Sequence, residues 1–172
     1  PVVVRLRPVA RRGLSAATAV VLALAVTSTA LSYPRSMAWT APGFGPSYAI
    51  ATDSNVDWGQ GLYELQSWSK GRDPFVAYFG PRGITTADIA SARPLIGANP
   101  ADITGWVAAS ATAINSSDRS ELAWLRNYCP VRILANSVLV NRFAQPPEVA
   151  PAPAKPATLC AGPFSHRAGQ TG

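Results

Sequence analysis

LSAATAVVLALAVTSTALSY, residues Leu14 to Tyr33, carries no charged side chain. As a helix rising about 1.5 Å per residue it reaches roughly 30 Å, the thickness of a bilayer's hydrocarbon core. No polar face recurs in it at helical spacing, which disfavours a helix packed on a soluble core. Arg5, Arg7, Arg11 and Arg12 precede it, and Arg35 stands alone just beyond. By the positive-inside rule the amino end is expected in the cytoplasm and everything after Tyr33 outside the cell membrane. Tyr33 and Trp39 suit the outer interface. A cleaved signal peptide is the alternative, because Ser28-Thr29-Ala30 resembles a small-residue cleavage site.

The formal net charge is +6, which invites a nucleic-acid reading. Between Pro46 and Phe143, however, eight basic residues meet eight acidic ones, so the excess lies in the flanks. A nucleic-acid binder carries its basic stripe on the folded face; no nucleic-acid partner is expected. The lipid bilayer is. The chain is long enough for one compact core with appendages. Its expected organisation is a basic cytoplasmic stub (1–13), a transmembrane helix (14–33), a juxtamembrane linker (34–45), an extracytoplasmic α/β domain (46–143) and a Pro-rich tail (144–172). Closely spaced prolines in that tail remove backbone donors and favour extended conformations, so it reads as disordered. His166, the only histidine, lies there and is a poor candidate for catalysis or metal binding.

The middle alternates short apolar runs with helical patterns, which predicts a small layered α/β domain with a largely parallel or mixed sheet. Expected strands are Tyr48–Thr52, Pro74–Phe79, Trp106–Ser110, and a final strand or hairpin from Val131–Leu134 and Ser137–Val140. A helix is expected after Asp57, with Asp57 and Gln60 at capping-box spacing and Gly71 as a left-handed stop. A second begins near Ser117 or Asp118, with Asp118 and Glu121 at the same spacing, Leu122 and Leu125 inward, and Pro130 preventing continuation. A weaker one starts at Thr85 or Thr86, anchored by Ile89. Cys129 and Cys160 fall in the part assigned to the outside; a disulfide between them is one reading and two free thiols the other.

The densest polar chemistry is Asp53-Ser54-Asn55-Val56-Asp57-Trp58-Gly59-Gln60, read as the passage from a strand end into a helix, where α/β proteins often place ligand sites. Asp53 and Asn55 are the candidate ligand-facing pair, suited to sugar hydroxyls or a phosphate-bound metal. Asp57, Trp58 and Gln60 are the cap or scaffold. The alternative is wholly structural: a capped helix, a shaped turn and a packed Trp58.

DSNVDWGQGLYELQSW resembles the DSN-x-DWGQ-x-L signature near the carboxy end of bacterial membrane glycosyltransferase-like proteins. These form the broad protein-mannosyltransferase and aminoarabinose-transferase superfamily, which uses polyprenyl-phosphate sugars. Val76-Ala77-Tyr78-Phe79-Gly80 is similar to its AYFG strand, and Gly105 to Thr112 (GWVAASAT) to its G-x-x-A-x-SAT strand. Ala123-Trp124-Leu125-Arg126 with Pro130-Val131 is similar to its WLR…PV segment, and Tyr33-Pro34 after an apolar helix fits its last spanning helix. Asn136 and Asn141 depart from the pattern. The resemblance covers roughly Leu14 to Phe143 and implies the final membrane helix and outer accessory domain of an enzyme that transfers sugar from a polyprenyl-phosphate donor. Implied partners are an upstream membrane domain of the same protein, the donor itself, and a glycan or protein acceptor.

In that superfamily the catalytic carboxylates lie in an early extracytoplasmic loop, and no stretch here matches it. No catalytic residue is therefore carried over, no metal ligand is assigned, and no cofactor is expected in this chain; a divalent metal in the full-length enzyme is left open. Paired-cysteine metal patterns and phosphate-binding Gly loops are missing from the sequence. Asn115-Ser116-Ser117, formally a glycosylation acceptor, reads as a turn at a helix start. A second reading, from another class, is a membrane-anchored domain that binds a protein partner or cell-wall glycan without catalysis.

Overall fold

A computed structural model describes residues 8–33, 40, 45–50, 57–79, 89, 91–151, 153 and 159–167, with backbone alone for 8–12, 32 and 117–119. The chain divides into two units, Pro1–Ser36 and Met37–Gly172. The first contains helix α1, Pro8–Ser32. Its Gly13–Leu31 stretch, near the N-terminus, has a mean hydropathy of 1.9 and is long and apolar enough to cross a membrane. The hydroxyls of Thr18 and Thr29 donate to Leu14 O and Ala25 O, each at 2.9 Å. Satisfied one turn back on their own helix, they do not need water, which lets an apolar helix carry them.

The second unit is a layered α/β domain. Its elements are α2 (Ser47–Ile50), α3 (Leu62–Ser69), β1 (Phe75–Ala77), β2 (Arg93–Pro94), β3 (Gly105–Ser110), α4 (Ala111–Asn115), β4 (Arg132–Leu134) and β5 (Val138–Phe143). Two 3-10 segments, Pro100–Asp102 and Ser117–Asn127, complete the described elements. The sheet order is β2-β1-β3-β5-β4. β1 runs parallel to β2 and β3, whereas β5 is antiparallel to β3 and β4, so the sheet is mixed.

Side chains alternate across the strands, as the two-residue period requires. Phe75, Ala77, Val107, Ala109 and Leu139 meet Leu122, Trp124 and Leu125 of the long 3-10 segment on one face. Val76, Ala108, Val138 and Val140 meet Leu65 and Trp68 of α3 on the other, with Ile89 buried among them. Helical layers thus cover both faces of the sheet, and each apolar stripe read from the sequence has a partner layer.

Tyr48 does not begin a strand: Ser47–Ile50 forms a helical turn after Pro46, with Ala49 N donating to Pro46 O at 3.0 Å. A four-residue apolar run fits strand and helix equally by periodicity, and the strand position beside β1 is filled instead by Arg93–Pro94. Residues 51 and 52 lie outside the described set, as do Thr85 and Thr86 of the weaker helix.

The segment after Ser116 winds as 3-10 helix, and Ser116 makes no side-chain cap. It ends at Asn127, ahead of Pro130, because Tyr128 turns extended and pairs with Arg167. The Asp118 side chain lies outside the described set. Leu122 and Leu125 are buried, as their spacing predicts. Gly71 has φ +72°, the left-handed conformation that stops α3.

The described parts of the tail are bound to the domain rather than free of it. Cys129 and Cys160 form a disulfide, with Cα atoms 5.2 Å apart. Cys160 N donates to Pro130 O, Cys129 N to His166 O, and Ser165 N to Arg142 O, at 2.8, 3.1 and 2.8 Å. The Arg142 guanidinium lies over Phe164 on one side and Trp106 on the other. Composition alone reads prolines as disorder; here one covalent bond and several backbone pairs hold residues 160–166 against Cys129, Pro130 and Arg142.

Candidate functional site

Asp57 is 1% exposed and lies in the turn that leads into α3. Its Oδ1 accepts from Gly59 N at 2.8 Å, Gly61 N at 3.3 Å and the Tyr78 hydroxyl at 2.9 Å. Its Oδ2 accepts from Ser137 Oγ at 2.7 Å. One carboxylate therefore ties together the turn before α3, the end of β1 and the β4–β5 connection. A charge this deep is tolerable only with its lone pairs occupied. Beside it, burial and the neighbouring carboxylate push the Tyr78 hydroxyl far above its ordinary pKa, so it stays a neutral donor.

The capping box forms only in part. Asp57 accepts from turn amides, but Gln60 Oε1 accepts from Trp58 N at 3.0 Å rather than from the amide of Asp57. Gly61 precedes α3 and makes no side-chain cap. A Cβ on Gly61 would sit 2.5 Å from Asp57 Oδ2, so the carboxylate occupies the space a side chain would take. Trp58 does not pack in the core; it is 55% exposed. Asp53 and Asn55 lie outside the described residues.

The β4–β5 turn holds the other side of this knot. Ala135 and Asn136 have φ +48° and +58°, the paired left-handed conformation of a tight hairpin turn. Asn tolerates it where most residues do not. Glu64 Oε2 accepts from Ala135 N at 3.1 Å, Ser47 Oγ donates to Asn136 O at 3.1 Å, and Ala111 N donates to Ser137 O at 2.7 Å. Asn141 is buried and donates to Cys129 O at 3.2 Å. Ser110 Oγ accepts from Phe79 N at 3.0 Å and from Ala113 N at 3.3 Å, joining β1 to the start of α4.

Tyr78 and Ser110 were visible in the sequence as members of quoted segments, though not as partners. Glu64, Ser47 and Ser137 gave no separate signal. Their roles depend on contacts across as many as 89 positions of sequence.

Chemically, Asp57 has no exposed lone pair to take a proton from a substrate. It is a scaffold. Cys129, Cys160 and His166 place donor atoms within 4.8 Å of one another, but the two sulfurs are spent on their mutual bond. A cleft of about 510 Å³ lies next to the hairpin turn, beside β4, lined by Thr40, Ser47, Tyr48, Arg132, Ile133 and Leu159 among others. Burial raises the pKa of Tyr48, so its phenol remains neutral there.

No protein-family model, no curated protein and no solved structure matches this chain.

Proposed function

We propose that this chain is the terminal membrane helix and extracytoplasmic accessory domain of a membrane glycosyltransferase that uses a polyprenyl-phosphate sugar. One observation carries the reading: the segments that resemble that superfamily are bonded to one another. Asp57 of the DWGQ segment accepts from Tyr78 of the AYFG segment, and Phe79 of that segment donates to Ser110 of the SAT segment. Trp124 and Leu125 of the WLR segment share a core with Ala109. Contact among these segments supports reading them as one scaffold.

In this reading α1 crosses the membrane with its arginine-flanked end in the cytoplasm, and the domain stands outside, shaping the entrance for donor or acceptor. In this reading the catalytic carboxylates belong to an upstream part of the enzyme. Asp53 and Asn55 remain the residues offered to a ligand on the strength of the DSN pattern.

Membrane vesicles containing the full-length protein, supplied with polyprenyl-phosphate sugar and acceptor extract, test this directly. Transfer is expected, with loss when Asp57→Ala loosens the domain, and only background from the 172-residue chain alone. Full transfer after deletion of residues 46–167 overturns the accessory role. A reporter active only outside the cytoplasm, fused after Phe143, is expected to be active; a silent one reverses the topology.

A further inference from the structure

The cleft beside β4 has a feature that the scaffold around Asp57 does not use. Most arginine side chains described in the domain are committed to partners. Arg72 and Arg126 donate to Trp68 O and Ala123 O, and Arg93 donates to Asp73 O at 2.9 Å. Arg142 is stacked between two rings, and Arg167 pairs with Glu148 at 3.1 Å. Arg132 alone has no hydrogen bond or ion pair among the described residues, and it lines the cleft. No aspartate or glutamate stands among the described lining residues to neutralise it.

The remaining wall is mixed. Val131, Ile133 and Leu159 supply apolar surface, Tyr48 is buried beneath it, and the Thr40 and Ser47 hydroxyls already donate to Gly45 O and Asn136 O. Two links fix lining residues in place: the Ser47 bond to Asn136 O, and the disulfide at Cys160, next to Leu159. A volume near 510 Å³ falls within the range of small-molecule sites, roughly 300–1,000 Å³. A guanidinium presents a planar fork that matches carboxylate or phosphate oxygens.

We propose that this cleft binds an organic oxyanion carried on a short apolar stem, with Arg132 pairing the anionic head while Val131, Ile133 and Leu159 pack the stem. Carboxylate and phosphate-ester heads share this chemistry. The proposal rests on the cleft alone and stands or falls separately from sugar transfer.

The test is a ligand-observed NMR titration of the full chain in lipid nanodiscs, with empty nanodiscs as blank. The probes are hexyl phosphate, hexanoate, hexanol and inorganic phosphate. Saturable binding of hexyl phosphate or hexanoate is expected, with hexanol and inorganic phosphate at least about ten-fold weaker, a difference of roughly 1.4 kcal/mol. Arg132→Gln, at an exposed position, should leave the melting point unchanged and weaken the anionic probes about ten-fold or more. Leu159→Asp should weaken them as well, and Lys70→Gln, an exposed cation away from the cleft, should not. Equal binding by Arg132→Gln and the unaltered chain overturns the proposal. So does inorganic phosphate binding as tightly as hexyl phosphate, or no saturable binding of either anionic probe.

Discussion

Replacing Asp57 with alanine separates a buried knot from an ordinary helix cap. Four donors converge on its carboxylate. Two of those bonds, from Gly61 N and Ser137 Oγ, are buried, and two are partly open to water. A buried donor stripped of its acceptor costs roughly 1–3 kcal/mol, while the more open pair can rehydrate and add little. The sum is about 4 kcal/mol, against about 0.5–2 kcal/mol for losing a solvated cap. Relative to a domain stability of roughly 5–15 kcal/mol, that is a drop in Tm of roughly 15 °C.

Near-UV circular dichroism, which follows aromatic packing rather than helix content, reads this change in the full chain in detergent. Asp57→Asn should lose less, about 1–2 kcal/mol, because its oxygen keeps accepting while the Ser137 hydroxyl turns to accept from the amide. Asp57→Ser should fail to rescue, since a single short hydroxyl cannot reach both the turn amides and Ser137. An Asp57→Ala loss below about 1 kcal/mol, or full rescue by serine, would mean the cap is solvated and the reasoning is wrong.

Gly61→Ala restricts the unfolded chain, worth up to about 1 kcal/mol at a backbone conformation alanine can adopt, but its Cβ meets Asp57 Oδ2 at 2.5 Å. The crowding should win, with a net loss of roughly 1–2 kcal/mol in a melt; a stabilised variant would contradict the described turn. Tyr78 titrates far higher folded than its unfolded value of 10.0. Its contribution is therefore fully present below pH 10 and is lost as pH rises above it, by at most about 1.4 kcal/mol per unit and less given its partial exposure. Denaturant midpoints measured between pH 9 and 11.5 should fall above pH 10, and Tyr78→Phe should flatten the fall; an unchanged slope would count against the Asp57 contact. Reducing the Cys129–Cys160 bond, at a separation of 31 residues, should cost about 3–4 kcal/mol by loop-closure entropy. It should also open residues 159–167 to proteolysis, and equal resistance with and without reductant would show that the hydrogen bonds alone hold the tail.

Strand and helix positions were legible wherever the apolar period was long or clearly bounded. Val107, Ala109 and Val138 to Val140 read as strand and are strand, and Leu65 with Trp68 reads as the buried side of α3. Short segments were not legible. Ser47–Ile50 is too brief for its period to decide, and Arg93–Pro94 has no apolar pattern because it lies exposed at the sheet edge beside β1. The site divides in the same way: Asp57 stands out in the sequence, but its partners do not.

By itself the sequence determines the long apolar helix near the N-terminus, the α/β class of the domain beyond that helix, and the polar density around Asp57. Each is a local property, set by hydropathy, by period, or by the hydrogen-bonding habits of residues a few positions apart. Whether the hairpin turn would meet Asp57, whether the described prolines after Phe143 would return to the domain, and which residues would stand beside Arg132 were decided only in the tertiary structure. Those outcomes join residues tens of positions apart. Their loop-closure cost is repaid only by the whole set of buried contacts, and no single stretch of chain contains that set.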